Sequence, residues 1–144
     1  FFNPVHRMKL LEVVRALETS EETLAAAVAV GQRMGKECVT VRESPGFVTS
    51  RVNAMIGNEA FYMLQEGVAS APDIDKALKL GLNHPMGPFE LLDVVGLDVS
   101  LAIQRTLYLE FREPGFAPAP RLEHLVTAGY LGRKSGRGFY EYGA

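Results

Sequence analysis

One carboxylate stands out among the residues able to do chemistry. In the segment Met8-Lys9-Leu10-Leu11-Glu12-Val13-Val14 the branched side chains predict a strand, and a period of two puts Leu10, Glu12 and Val14 on one face. An acid between apolar neighbours must reach water or find a donor that offsets its desolvation. Glu12 is therefore either a solvated acid at a sheet edge or a sheltered one that orients another group, and spacing alone leaves both open. The histidines His6, His84 and His124 share no i, i+3 or i+4 spacing and have no nearby acid in a ligand pattern, which argues against metal catalysis. His84 reads as a turn residue, His124 as a helix-surface residue, and His6, beside Arg7, as solvent-facing. Cys38 lies in a strand pattern with no adjacent His, so it reads as a small buried hydrophobe and not as a nucleophile. The stretch from Gly132 to Gly138 carries Arg133, Lys134 and Arg137 but lacks the order of a phosphate-binding loop, and it reads as a flexible surface tail. No glycine fingerprint of a dinucleotide-binding fold occurs in the chain, so any nucleotide contact is expected from residues outside it.

The elements that must position these residues follow from periodicity and capping. In Thr19-Ser20-Glu21-Glu22, Thr19 as N-cap with Glu22 at the third helical position predicts a capping box. The helix it opens carries Leu24, Ala27, Val28 and Gly31 on one stripe and stops at Gly35. Cys38 to Val41 then reads as a second strand. Two strands around one helix are a piece of an α/β sheet and rarely hide enough apolar surface by themselves. After Ser44-Pro45-Gly46 the pattern changes. From Phe47 to Glu66 turn residues vanish and Val48, Val52, Ile56, Ala60 and Met63 recur at helical spacing, with further apolar residues on the other faces, so a long helix buried centrally or against another subunit is expected. Ser70-Ala71-Pro72-Asp73 predicts a capping box for a short helix ending at Gly81. The loop Asn83-His84-Pro85-Met86-Gly87-Pro88 is rigid turn chemistry. Helices are expected over Phe89 to Val95, over Val99 to about Phe111 with Asp98 as cap, and around Leu122 to Ala128.

Composition sets the frame. A chain of 144 residues is about one ordinary domain, and with 47% hydrophobic and 22% charged residues it is globular, not disordered. A net charge of −2 gives no global pull toward nucleic acid or an anionic membrane. No apolar run approaches the ~18 residues of a membrane span, so a soluble protein is expected. The single cysteine excludes an internal disulfide and favours a cytosolic, cytoplasmic setting. The sequence opens at Phe1 without Met, inside what reads as a structured segment, which predicts residues upstream.

Several motifs, in order along the chain, resemble the L-3-hydroxyacyl-CoA dehydrogenase family, and within it the bacterial 3-hydroxybutyryl-CoA dehydrogenases. They are Phe1-Phe2-Asn3-Pro4, Met8-Lys9-Leu10, Glu12-Val13-Val14, Pro45-Gly46-Phe47, Pro85-Met86-Gly87-Pro88-Phe89-Glu90-Leu91, Gly96-Leu97-Asp98 and Gly136-Arg137-Gly138-Phe139-Tyr140. The resemblance spans the chain but only the second half of the family. It implies a mainly α fold: residues 1–44 as the last strand-helix-strand pieces of a Rossmann-type NAD-binding domain, and residues 45–144 as an all-helical substrate and dimerisation domain. It implies NAD as cofactor, an acyl-CoA substrate, oxidation of the 3-hydroxyl in fatty-acid metabolism, and a homodimer. By the same resemblance Glu12 is the acid that pairs with the catalytic His, a residue that falls before Phe1. Asn3 becomes an active-site amide facing cofactor or substrate. Ser50 stands where many relatives carry an active-site Asn, a departure that replaces an amide by a shorter hydroxyl. Pro85, Met86 and Gly87 become lining of the acyl pocket. The chain alone is then expected to be inactive. Two other readings remain: a helical association module without chemistry, and a related dehydrogenase of 3-hydroxy or sugar acids.

Overall fold

The computed structural model describes residues 1–143 and divides into two compact units, one from Phe1 to Val48 and one from Thr49 onward. In the first, β1 (Leu10–Arg15) and β2 (Glu37–Arg42) pair in parallel, Leu10 opposite Glu37 through Arg15 opposite Arg42. Parallel neighbours need a crossover, and α1 (Glu21–Arg33) supplies it. Gly31 is the point of closest approach. A Cβ there would stand 2.6 Å from Cys38 Sγ and 2.7 Å from Leu11 Cδ2, so only glycine lets the helix lie this close to the strands. The cap of α1 is one residue later than expected. Ser20 Oγ accepts from Thr23 N at 3.1 Å, whereas the Thr19 hydroxyl is used in the preceding turn, accepting from Ala16 N at 3.1 Å. Among the described residues of this unit only Leu11 and Gly31 are buried, while Met8, Val30, Met34 and Val39 are exposed.

The second unit holds α2 (Thr49–Gln65), α3 (Ala71–Gly81), α4 (Pro88–Val95), α5 (Leu97–Phe111) and α6 (Pro120–Thr127), with 3-10 turns at 114–116 and 133–135. With α1 this makes six α-helices and one strand pair among the described residues, the mainly α class that the sequence predicts. Helix α2 starts at Thr49, two residues late, because Phe47 has a left-handed backbone with φ +44°. Its core face follows the predicted stripe only in its second half: Ala60 is buried and Met63 packs against the core, but Val48 and Val52 are exposed, and Ala54, Gly57, Asn58 and Phe61 are the other buried positions. The small residues let neighbouring helices approach, and Phe61 finds the rings of Phe89 (5.9 Å, edge-on) and Phe139 (5.1 Å). Buried Asn58 is fully used, donating to the carbonyls of Gly115 and Ala117 at 2.8 Å and accepting from Ala119 N at 3.1 Å.

Ser70 caps α3 as predicted, accepting from Asp73 N at 3.3 Å. Asp98 does not cap α5. Gly96, with φ +104°, ends α4 and opens α5 in one residue, which moves Asp98 into the first turn, where it pairs with Lys134 at 2.5 Å. The Gly132–Gly138 segment is likewise not a loose tail. Antiparallel bridges join Gly132 to Arg137 and Arg137 to Glu141, and the backbone of Gly132 lies so close to Asp93 that a Cβ would meet the Asp93 carbonyl oxygen at 2.4 Å.

Candidate functional site

Glu12 sits on β1 opposite Val39, half-buried between Leu10 and Val14, which are also half-buried. Its Oε1 accepts from Val48 N at 3.2 Å, so the carboxylate is sheltered and anchored at the point where the chain leaves the first unit. Asn3 is exposed at the start of the first unit, before a cis Asn3–Pro4 peptide. Ser50 is exposed in the first turn of α2, in the second unit. His6 and His124 are exposed and His84 is half-buried in its loop. Cys38 is half-buried, its thiol against α1 with the Val28 carbonyl at 3.7 Å. Among the described residues no three His, Cys, Asp or Glu side chains gather as a metal-binding group.

The loop 83–87 is braced at both ends. It begins at Asn83 in a left-handed conformation (φ +56°), and His84 N donates to the Leu78 carbonyl at 3.3 Å. Pro85 is exposed and Met86 half-buried, while Gly87 is buried as the N-cap of α4. A glycine has no side chain with which to cap. The carboxylate of Asp75 on α3, itself buried, does that work from across the fold: Oδ1 accepts from Phe89 N at 2.8 Å and Oδ2 from Glu90 N at 3.1 Å. Pro88 at the first helical position has no N–H to satisfy. Glu90 reaches back to Gly87 N at 3.0 Å and pairs with Lys79 at 2.7 Å, and these two donors, Lys79 first, hold its carboxyl below the usual range. Gly87 must be glycine for a steric reason, since a Cβ would lie 2.3 Å from Asp75 Cγ.

Two tyrosines complete this network. Tyr140 donates to Asp75 Oδ2 at 2.6 Å and Tyr142 to Asp93 Oδ2 at 2.8 Å, and the backbone N–H groups of Phe139 and Tyr140 both donate to the Asp93 carboxylate at 3.0 Å. Desolvation, then the bond to the carboxylate, pushes both phenols above their ordinary value of 10. A folded-state value raised above the unfolded one contributes stability that is complete below pH 10 and is lost as pH climbs beyond it. Thermal unfolding followed from pH 8 to 11 should therefore show a decline above about pH 10, flattened in the Tyr140→Phe/Tyr142→Phe variant. An equally steep decline in that variant would remove the phenols as its cause. Sequence patterning does not single out Asp75 or Asp93, although Asp93, between Leu92 and Val94, is a carboxylate set among apolar neighbours, as Glu12 is.

A cavity of about 420 Å³, largely apolar, lies between α2 and α3 and is lined by Met55, Ile56, Asn58, Glu59, Tyr62, Met63, Leu78, Leu82 and Gly115. Its lining includes neither Ser50 nor residues 85–87.

A strand-helix-strand unit joined to a five-helix unit defines a class, and sequence comparison gives its name. Residues 46–142 match the 3-hydroxyacyl-CoA dehydrogenase C-terminal domain, and residues 1–44 match the NAD-binding domain of the same enzymes. The chain belongs to the 3-hydroxyacyl-CoA dehydrogenase family. It is 50% identical over 142 residues to a probable 3-hydroxybutyryl-CoA dehydrogenase of Bacillus subtilis, covering 99% of this chain and 50% of that protein. The pig mitochondrial hydroxyacyl-coenzyme A dehydrogenase is 43% identical over 143 residues, covering 99% and 46%. The crystal structure of (S)-3-hydroxybutyryl-CoA dehydrogenase PaaH1 from Ralstonia eutropha superposes with a TM-score of 0.96 at 50% identity, covering 100% of this chain and 51% of that one. The chain thus spans about half the length of the curated relatives it matches.

NAD is the cofactor that the family implies, and the start of α1 does not fit its pyrophosphate. The turn from Ala16 to Ser20 contains no glycine, Ser20 occupies the Thr23 amide, and Glu21 and Glu22 place negative charge in the first turn. Among the described residues no helix is long and apolar enough to cross a membrane.

Proposed function

We propose that this chain is the C-terminal half of an NAD-dependent 3-hydroxyacyl-CoA dehydrogenase, acting on 3-hydroxybutyryl-CoA or a similar short acyl thioester. The observation that carries this reading is the superposition on the Ralstonia eutropha enzyme over the whole chain. The apolar side chains that the first unit leaves exposed, Met8, Val30, Met34 and Val39, support it, because further strands and helices of a nucleotide-binding sheet would cover them. In this reading residues 1–44 close the nucleotide domain and residues 45–144 form the helical domain. Glu12 holds one ring nitrogen of the catalytic imidazole, fixes its tautomer and stabilises its cation while the hydroxyl proton is taken and hydride leaves C3. Asn3 offers an amide to the reacting oxygen or cofactor, Ser50 a hydroxyl, and the Pro85–Gly87 loop a wall to the acyl group. The exposed Val52 and Met55 of α2 support self-association through the helical unit. A cytoplasmic location fits the bacterial relative, whereas the pig relative is mitochondrial.

The test is oxidation of NADH with acetoacetyl-CoA by the full-length polypeptide and by residues 1–144 alone. Turnover is expected from the first and none from the second, with the full-length form sedimenting as a dimer. Activity in the 144-residue chain, or none in the full-length protein, overturns the assignment.

A further inference from the structure

The 83–87 loop is held from a place far along the chain. Tyr140 stands 65 residues from Asp75, yet its hydroxyl makes the shortest of the three hydrogen bonds to that carboxylate, 2.6 Å against 2.8 and 3.1 Å from the helix amides. Asp75 is 1% exposed, and the two helix amides and the Tyr140 hydroxyl offset the cost of burying its charge. The carboxylate in turn touches the one residue where the loop joins α4: Gly87 is packed against Asp75 so tightly that no Cβ fits. The ring of Phe139, the residue before Tyr140, lies 4.3 Å from that of Phe89 in the same helical turn. Tyr142 is a matched contrast. It too donates to a buried aspartate, but Asp93 is the sixth residue of α4 and makes its contacts with residues 132 and 138–142, not with the loop.

We propose that Tyr140 is a positioning residue for acyl recognition, acting through Asp75 to fix the Pro85–Gly87 loop, so that residues 139–140 tune the fit of the acyl group. The inference rests on the reading of this loop as a wall of the acyl pocket, given above. Losing one hydrogen bond to a charged acceptor does not remove the loop; it lets Asp75 shift and with it the position of Gly87. The effect belongs in the affinity for the acyl substrate and not in the cofactor or the proton acceptor.

The experiment compares Tyr140→Phe with Tyr142→Phe in the full-length protein. Tyr140→Phe should raise KM for acetoacetyl-CoA about fivefold, with kcat and the KM for NADH changing by less than about twofold. Both variants should lower Tm by similar amounts, and Tyr142→Phe should leave all three constants alone. Amide hydrogen exchange gives a readout free of catalysis: Gly87, Phe89 and Glu90 should exchange faster in Tyr140→Phe and not in Tyr142→Phe. Equal responses of the two variants reduce Tyr140 to a stability residue and overturn the inference, as does unchanged exchange at Gly87. An inactive parent protein sinks the functional reading and the acyl part of this inference with it. An active parent whose Tyr140→Phe form keeps its KM sinks the inference alone.

Discussion

Asp93→Ala should destabilise the chain by about 4 kcal/mol, because it removes the acceptor of three separate donors in one step. The carboxylate is 1% exposed and takes the amides of Phe139 and Tyr140 and the hydroxyl of Tyr142. Alanine leaves these groups facing a cavity, and each sheltered donor left unmade costs roughly 1–3 kcal/mol. Part of the cost is recovered if the 139–142 segment detaches into water, but then Phe139 leaves the Phe61 and Phe89 rings and their contact is lost instead. Either way the midpoint of thermal unfolding, read by circular dichroism, should fall by on the order of 20 °C for a unit of this size. Asp93→Asn keeps one oxygen but turns an NH2 toward a donor, so it should lie between the two. A fall of only a degree or two in the alanine form would mean that the segment is not held by this residue.

On the proposed function, in which Glu12 pairs with a catalytic imidazole, Glu12→Gln should lower kcat of the full-length polypeptide by roughly 10²-fold or more while KM for the acyl-CoA changes little. The substitution preserves shape and can still accept from Val48 N, which stands 3.2 Å from Oε1, so the fold should be retained. What changes is charge and hydrogen-bond sense. An amide cannot stabilise an imidazolium as a carboxylate does, and its NH2 can present a donor where the ring nitrogen also donates. The half-buried setting between Leu10 and Val14 strengthens the effect, since a lower local dielectric enlarges the coupling between the two groups. Steady-state kinetics with an unfolding control decides the matter. Intact folding with undiminished turnover would take Glu12 out of the chemistry.

The strands, α1 and α3 were legible because each carries a complete local signal: branched residues for β1 and β2, and a hydroxyl cap for α3. The cap of α1 slipped from Thr19 to Ser20 because two adjacent hydroxyls compete, and which one serves the helix depends on the turn at Ala16. Glu12 was visible as an acid on an apolar face. The same signal is present in Leu91-Leu92-Asp93-Val94 but not around Asp75, which stands between Ile74 and Lys76; on a helix an acid is usually assigned to the solvated face, and only the fold reveals which backbone groups it serves. Residues 132–138 depart from the expected flexible tail for a related reason. Glycine suggests freedom, whereas here Gly138 is small so that Asp93 Oδ1 can occupy the space 2.0 Å from where its Cβ would be. Asn3 and Ser50 are named by family resemblance, not by any pattern that physics alone could pick out.

The span between Asp75 and Tyr140 bears on how this unit comes into being during synthesis. Phe61 and Phe89 are translated well before the aromatic ring that will cover them, and the carboxylates that receive residues 139–142 wait through 46 residues from Asp93 to Phe139 and 65 from Asp75 to Tyr140. Closure therefore comes late, as a long-range event, and a ribosome-bound intermediate keeps an oily surface and the unmet Asp93 carboxylate open to chaperones until then, with Asp75 serving only the amides of Phe89 and Glu90.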